Sequence, residues 1–336
     1  APGMASLTEK AMARLMCLFW DIVPRDVRAG QPVSNLLLQR LGSYAIRYSH
    51  CVIALLPFSR GFSSALFRPQ SEQMACWSLR AIHDLWMWRV VLLCAVGNTT
   101  WLRVPVTYPL LLRRLSPMET DPERAARQAA AADYVIHGDA RMAGNRGAGM
   151  IATSASGTPL VWMQMLLHEF THYMSASGVL DEMNINVMEF AQAAVSVLAF
   201  ISWARQEGVE LTGRHIHVFT DNSSAHSYIR RNRASHPFHL VLLQVMALVM
   251  AQHGILLTIG HIAGCRNVIA DAISREFDVP DGEAIRLALL PVPRLKLAAQ
   301  ALHFLNEVAR TPFLMPLPTV RLSLTVLDTV IGAVSV

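Results

Sequence analysis

Residues 215–229, HIHVFTDNSSAHSYI, form the stretch that decides the fold of this chain. The β-branched and aromatic residues from His215 to Thr220 make the short apolar run typical of an interior strand. The pattern breaks at Asp221, and Asn222 and Ser223 follow, which are residue types that cap helices. An acid at the carboxyl end of a strand lies where α/β sheets place ligand and metal chemistry. Asp221 could equally serve only as the cap of the next helix.

The overall composition predicts a folded chain with room for about two domains of ordinary size. Of the 336 residues, 53% are hydrophobic and 16% are charged. Polar or charged residues interrupt the longest apolar stretches, so no membrane-spanning helix is expected. The net charge of +5 comes almost wholly from arginine, whose planar guanidinium suits phosphate oxygens. A nucleic-acid partner therefore fits this composition, and so does an ordinary solvated surface.

The cysteines indicate the compartment. They are odd in number and widely spaced, and none belongs to a CxxC pair: Cys17, Cys51, Cys76, Cys94 and Cys265. This pattern argues against a disulfide framework or a zinc ribbon. We therefore expect a reducing compartment, cytoplasmic or nuclear.

The sequence pattern divides the chain into three parts. Residues 1–130 carry apolar residues at helical spacing between prolines and glycines, which predicts a mostly α-helical region that ends in an Ala-rich linker at 118–127. Residues 131–280 alternate short apolar runs with helices, as an α/β domain does. Residues 281–336 are rich in proline and leucine, and we expect a C-terminal extension of unknown role.

Two further acids lie next to predicted strands. Residues 134–136 have the pattern of a short strand, after which Asp139 falls in a glycine-rich hairpin where backbone can approach a ligand closely. A plain hairpin turn explains this position equally simply. Asp271 falls in the first turns of a helix predicted over 267–277, one strand along from Asp221.

Glu189 lies in the strongest helix of the chain, predicted over 186–207. This helix is apolar nearly all round, so it belongs at the centre of a domain. A buried carboxylate without a partner is costly, so it should be neutralised, paired with a cation or bound to metal. The alternative is that Glu189 occupies the first helical turn, partly exposed, where the helix dipole favours an acid.

Four segments together resemble one known family. They are GDARMAGNRGAG (138–149), INVMEF (185–190), FTDNSSAHSYI (219–229) and HIAGCRNVIADAISR (261–275). With these motifs, residues 131–278 resemble the ribonuclease H domain of retroelement reverse transcriptases, especially those of DIRS-like elements. The resemblance implies an RNase H-like α/β fold, with a mixed five-stranded sheet flanked by helices. Residues 1–130 resemble, more loosely, the thumb and connection region that precedes this domain.

The resemblance also implies a catalytic site. Its metal-binding carboxylates would be Asp139, Glu189, Asp221 and Asp271, with His261 as the histidine near the cleft. They would hold two Mg²⁺ ions, which Mn²⁺ can replace, for endonucleolytic hydrolysis of the RNA strand of RNA/DNA hybrids. Carboxylate oxygens are the hard ligands that such ions prefer, and a pair of ions suits phosphodiester hydrolysis. Clustered carboxylates without metal would repel one another, which favours bound ions.

Polar and basic residues beside these acids are candidates for nucleic-acid contact. They are Asn222, Ser223, Arg230, Arg231, Arg266 and Asn267. The implied partner is an RNA/DNA hybrid, recognised through 2′-hydroxyls and helix shape without base preference. Each arginine could also lie on a solvated face. The sequence contains no pair of adjacent aspartates of the kind polymerases use, so an upstream polymerase domain is the second expected partner.

Two other functions compete with this interpretation. Residues His168 to His172, HEFTH, match the HExxH helix of zinc proteases, with Glu189 downstream as a candidate third ligand. That function leaves the acids Asp139 and Asp221 unexplained. A catalytically inactive RNase H-like binding module is the second, because Arg141 stands where the family's first hairpin usually has a small polar residue.

Overall fold

The computed structural model of the protein describes most of the chain. The described residues are 4–5, 7–51, 53–63, 73–97, 104–105, 115–142, 147–166, 185–231, 237–297 and 334–335. The helices are α1 (Glu9–Met16), α2 (Asn35–Cys51), α3 (Arg60–Ser63), α4 (Leu79–Gly97), α5 (Asp121–Ala130), α6 (Ile185–Gln206), α7 (Ser223–Arg231), α8 (Pro237–His253), α9 (Val268–Ser274) and α10 (Gly282–Leu289). The strands are β1 (Met4–Ala5), β2 (Pro32–Ser34), β3 (Met74–Cys76), β4 (Val104–Pro105), β5 (Tyr134–Arg141), β6 (Gly147–Ser154), β7 (Pro159–Leu166), β8 (His215–Thr220), β9 (Leu256–His261), β10 (Arg294–Leu297) and β11 (Val334–Ser335).

The main sheet has the strand order β11-β10-β7-β6-β5-β8-β9. Strands β5, β6 and β7 form an antiparallel meander, and β8 and β9 run parallel to β5. Helices cover this mixed sheet, so the predicted RNase H-like α/β fold is confirmed. The sheet is larger than the five strands we predicted, because β10 pairs in parallel with β7 and β11 pairs with β10. In β10, Leu295 is fully buried between exposed Arg294 and Lys296, which is the alternation of a strand with one face on the core and one face in solvent.

Helices α6 and α9 approach the meander so closely that two glycines are required there. A Cβ at Gly138 of β5 would lie 2.1 Å from the Gln192 side chain of α6. A Cβ at Gly149 of β6 would lie 2.6 Å from the Ser274 backbone nitrogen of α9. Gly149 is the cross-strand partner of Asp139, and side chains of successive residues in a strand point to opposite faces. The two helices therefore press on the sheet from opposite faces on either side of Asp139.

Helix α6 is the centre of the core. Its side chains from Val187 to Ala204 are all buried. By length and composition alone this helix could cross a membrane, but 89% of its apolar window is buried inside the protein. Burial of that extent is what a core helix requires, and it agrees with the central position predicted for it.

The N-terminal helices share one continuous core with the sheet. Buried apolar residues extend from Leu15 of α1 to Leu295 of β10, and a hydrogen bond of 3.0 Å joins His83 Nε2 of α4 to Gln244 Oε1 of α8. The predicted linker at 118–127 is wrong for most of its length. Thr120 caps α5 in a capping box, and Ala125 of that helix packs on Gly260 of β9.

Candidate metal centre

Three acidic side chains from three different elements meet at one edge of the sheet. Asp139 of β5, Glu189 of α6 and Asp221 at the end of β8 each offer one carboxylate oxygen, and these oxygens lie within 4.8 Å of one another. Strands β5 and β8 are parallel neighbours, so their carboxyl-terminal residues come to the same edge. Helix α6 supplies the third acid from the face of the sheet. The predicted convergence of these three residues is therefore present in the structure.

Asp139 lies inside the strand rather than in the turn that follows it. We predicted that the strand would end near Ile136, but β5 continues to Arg141 and Asp139 pairs with Gly149 of β6. The side chain is 5% exposed, and Ser274 Oγ donates a hydrogen bond of 2.5 Å to Asp139 Oδ2. The plain hairpin turn is therefore wrong for this residue, which is held rigidly by the ladder.

Glu189 is buried, so the partly exposed position at a helix start is wrong. It is the fifth residue of α6 and is 3% exposed. The backbone N–H of Ala140 donates to its carboxylate, while Glu189 Oε2 has no hydrogen-bond partner among the residues that the structure describes. Such a buried orphan oxygen requires a proton or a cation.

The electrostatics of the three acids favour the same conclusion. Burial, reinforced by the charges of Asp139 and Asp221, raises the pKa of Glu189 to about 9. Burial raises the pKa of Asp139 to about 6 against the opposing effect of the Ser274 hydroxyl, and burial also raises the pKa of Asp221. A divalent cation among these oxygens would relieve the repulsion that holds the protons on. The donor set found among the described residues consists of three carboxylates, which fits Mg²⁺ or Mn²⁺.

Asp271 lies beside the three acids and is engaged by an arginine. It is the fourth residue of α9, and its charge raises the pKa of both Asp139 and Asp221. Arg275 Nε lies 2.6 Å from Asp271 Oδ1. Three of the four predicted ligands, Asp139, Glu189 and Asp221, form the compact cluster. The fourth, Asp271, lies beside the cluster and is paired with Arg275, one helical turn further along the chain.

His261 ends β9 at the same edge. Its Nε2 lies 2.9 Å from the backbone carbonyl oxygen of Asp221. A carbonyl oxygen only accepts, so Nε2 carries the proton and Nδ1 is the nitrogen left to exchange a proton or accept a hydrogen bond. The ring is exposed to solvent, as a group that meets a substrate must be.

The six residues predicted to contact nucleic acid lie in different environments. Ser223, Arg231 and Arg266 are exposed, and Asn222 is half-buried. Arg230 Nη1 pairs with Asp121 Oδ2 of α5 at 2.9 Å. The predicted contact of Asn267 with nucleic acid is wrong, because this residue is 1% exposed and its amide nitrogen donates a hydrogen bond of 2.9 Å to the Gly138 carbonyl oxygen.

Two side chains that support the site were missed in the sequence. Gln192 Nε2 donates to the Gly149 carbonyl oxygen at 3.1 Å and lies within 2.8 Å of Ser196 Oγ. Ser274 bonds Asp139. Both could have been found from helical spacing, since Gln192 follows Glu189 by three residues and Ser274 follows Asp271 by three, which places each on the face of its acid.

The competing HEFTH motif, His168 to His172, lies outside the described residues. Glu189, its candidate third ligand, has its carboxylate in the cluster with Asp139 and Asp221. Within the described part of the chain, the side chains that share this cluster with Glu189 are both carboxylates.

Comparisons with known proteins give partial structural likenesses. No family model matches the sequence, and no curated protein matches it. An RNase H1 isolated from compost by a metagenomic approach is 17% identical over 47% of this chain and 98% of that one, with a TM-score of 0.32. RNase H1 of the halophilic archaeon Halobacterium salinarum is 16% identical over 43% and 96%, with a TM-score of 0.30. The N-terminal RNase H domain of a Mycobacterium tuberculosis protein is 20% identical over 46% and 96%, with a TM-score of 0.31.

Proposed function

We propose that this protein is a metal-dependent nuclease that hydrolyses the RNA strand of RNA/DNA hybrids. The observation that carries the proposal is the meeting of Asp139, Glu189 and Asp221, whose oxygens lie within 4.8 Å of one another although two of the side chains are buried. Protein interiors rarely hold three carboxylates together without a cation. The position of the cluster, at the carboxyl ends of parallel strands, is open to a ligand from outside the sheet.

The residues present fit a pair of Mg²⁺ or Mn²⁺ ions. Asp139, Glu189 and Asp221 would hold the metal, and Asp271 would join them when Arg275 releases it. When bound, the ions would supply the Lewis acidity that phosphodiester hydrolysis at neutral pH needs. The protein contributes a preformed set of oxygens, because β5, β8 and α6 fix their positions before any ligand binds.

His261 would handle protons at the open side of the site. Its Nε2–H donates to the Asp221 carbonyl oxygen and the residue is exposed, so Nδ1 is the ring nitrogen that keeps a lone pair. A neutral imidazole nitrogen in that position would act as the proton acceptor during hydrolysis. The hydrogen bond also ties the orientation of the ring to the residue that holds the metal.

The hybrid would be held by its backbone. Arg231 at the end of α7 and Arg266 just before α9 are exposed, and Ser223 lies at the start of α7. Guanidinium groups bind phosphate oxygens whatever the base, and RNA differs from DNA by its 2′-hydroxyls. We propose in addition that the activity serves a retroelement reverse transcriptase whose polymerase domain lies upstream. The motifs in 138–149, 185–190, 219–229 and 261–275 support that context.

The decisive experiment is a cleavage assay on a hybrid labelled separately on its RNA and DNA strands. We expect cleavage of the RNA strand alone with Mg²⁺ or Mn²⁺, no cleavage in EDTA, and loss of cleavage in Asp221→Asn. The matched control is Asp278→Asn, an exposed acid away from the cluster, which should keep full activity. Hybrid binding without any cleavage would overturn the proposal in favour of a binding module. Proteolysis that depends on zinc and His168 would overturn it in favour of a protease.

A further inference from the structure

We infer that Ser274 is a positioning residue of the metal site, whose hydroxyl fixes the orientation of the Asp139 carboxylate. The inference rests on the proposed function and assigns a role to a residue that touches neither of the ions nor the substrate. Ser274 Oγ lies 2.5 Å from Asp139 Oδ2, and the serine is fully buried. At that distance and burial the hydrogen bond is strong and is not exchanged with water.

The single hydroxyl proton has two acceptors within reach. Ser274 Oγ also lies 2.9 Å from the backbone carbonyl oxygen of Asp271. A charged carboxylate is the better acceptor, so the proton goes to Asp139 whenever Asp139 is ionised, as a metal ligand must be. The hydroxyl is then hydrogen-bonded to Asp139 Oδ2, and this bond restricts rotation of the carboxylate. The Asp139 carboxylate would therefore already have its binding orientation before the metal ions bind.

Ser274 can act in this way because α9 is clamped against the sheet. Gln164 Nε2 of β7 donates a hydrogen bond of 2.8 Å to the Ile273 carbonyl oxygen, one residue before the serine. The absence of a side chain at Gly149 lets the α9 backbone approach β6, where a Cβ would lie 2.6 Å from Ser274 N. Asp271 and Ser274 lie three residues apart on one helix face. Helix α9 therefore delivers both the fourth acid and the hydroxyl that orients Asp139.

Loss of the hydroxyl should weaken metal binding without removing any metal ligand. Outer hydrogen bonds to metal ligands typically change affinity by about 10- to 100-fold. In Ser274→Ala, Asp139 Oδ2 would lose its hydrogen-bond donor in a buried site. The ionised Asp139 carboxylate would then be less stable and would rotate more freely. We expect about a tenfold or greater loss of Mn²⁺ affinity in this variant.

The test is Mn²⁺ titration of the full chain by calorimetry, with thermal unfolding in EDTA as the measure of folding. Three variants are compared: Ser274→Ala removes the donor, Ser274→Cys keeps the volume with a weak donor, and Ser274→Thr restores the hydroxyl. The matched control is Ser49→Ala in α2. Ser49 is also a buried helical serine, but its Oγ donates to a backbone oxygen of its own helix, the Ala45 carbonyl, at 2.5 Å.

We expect affinity to rank wild type, then threonine, then cysteine, then alanine, with Ser49→Ala equal to wild type. If alanine does not fold, the cysteine-to-threonine ratio decides. Equal Mn²⁺ affinity in wild type and in the folded Ser274 variants would overturn the inference and leave the proposed function standing. Wild type that binds no Mn²⁺ would overturn both. If Ser274→Ala and Ser49→Ala lost Mn²⁺ affinity to the same extent, the inference would be overturned and Ser274 would have a packing role alone.

Discussion

Arg275 Nε lies 2.6 Å from Asp271 Oδ1, so the fourth acid of the site is held by a cation of the chain itself. The side chains of Arg275 and Asp271 are 40% and 31% exposed, and Arg275, the residue that follows α9, lies one turn beyond Asp271. Ion pairs of this exposure contribute little to stability. A divalent cation can therefore exchange with the guanidinium at low cost, and we regard Arg275 as the competitor of the second metal ion.

Removal of that competitor should strengthen metal binding. In Arg275→Ala, Asp271 is free and one positive charge leaves the neighbourhood of Asp139 and Asp221, whose carboxylates attract it. We expect about fivefold tighter binding of the weaker Mn²⁺ ion, equivalent to about 1 kcal/mol. Calorimetric titration with Mn²⁺ measures this change in affinity. Arg286→Ala is the control, because Arg286 forms a similar exposed pair with Glu283. Weaker metal binding in Arg275→Ala would contradict the competition.

Stability without metal should fall as the pH rises above about 7.5. The pKa of Glu189 is raised from 4.5 to about 9, so the folded state holds a proton that the unfolded state loses. Its contribution to stability is complete below about pH 4.5 and disappears as the pH rises toward about 9. Asp139 acts in the same direction over a lower range, up to about pH 6. Buried histidines of lowered pKa, such as His83, His217 and His226, have the opposite effect, but only up to the ordinary histidine pKa of 6.5. The melting temperature in EDTA should therefore decrease from about pH 7.5 to about pH 9, where Glu189 dominates.

Two comparisons test this assignment of the pH dependence. Glu189→Gln carries no titrating proton, so its melting temperature should depend less on pH than that of the wild type. Mg²⁺ should raise the wild-type melting temperature more at high pH, because the ligands are then deprotonated. Glu283→Gln should change nothing over this range, since the pKa of Glu283 is lowered from 4.5 by its hydrogen bond with Arg286. A melting temperature that rises between about pH 7.5 and about pH 9 in EDTA would be incompatible with the buried cluster.

Helix α9 should separate from the sheet when Gly149 gains a side chain. In Gly149→Ala, the new Cβ would lie 2.6 Å from both Ala270 O and Ser274 N, which are backbone atoms and cannot turn aside. We expect a loss of about 1–3 kcal/mol in the free energy of unfolding from overpacking, with weaker Mn²⁺ binding. Urea denaturation and metal titration measure the two effects.

The control for this variant is Gly157→Ala in the β6–β7 turn. Gly157 has φ +80° and no heavy atom within 4 Å of its Cβ position. Its substitution should cost only about 1–2 kcal/mol of left-handed strain and leave metal binding unchanged. If Gly149→Ala bound Mn²⁺ as tightly as wild type, the close approach of α9 would have no bearing on the site.

Local sequence pattern was sufficient for the elements that bury a regular apolar face. The bounds of strand β8 and helix α6 were predicted within a residue or two, because in each of them one apolar pattern continues over the whole element. The prediction failed where tertiary packing overrides local preference. Gly138 and Gly149 have the pattern of a turn, yet they lie within strands, where the lack of a side chain lets α6 and α9 approach the sheet closely.

The sequence also did not predict which ion pairs and buried hydrogen bonds form at the site. Asn267 was predicted to face nucleic acid, whereas its amide is used on the Gly138 carbonyl oxygen. The pairing of Asp271 with Arg275 was also not predicted, although the two residues are four apart on one helix. Spacing shows which residues can meet, but the choice between partners depends on the neighbouring elements.

The segment that follows α9 belongs structurally to the sheet, which gives a last prediction. Leu289 of α10 is 4% exposed and packs with Ile151, Trp162 and Ile273 in a small second core that lies under α9. The next residue, Leu290, is 67% exposed. Leu289→Ala should therefore reduce the free energy of unfolding by about 2–5 kcal/mol, with lower hydrogen-exchange protection in α9. Leu290→Ala, the same change one residue further on, should stay within about 0.5 kcal/mol of wild type. Equal effects of the two substitutions would mean that α10 is not part of the folded unit that supports the metal site.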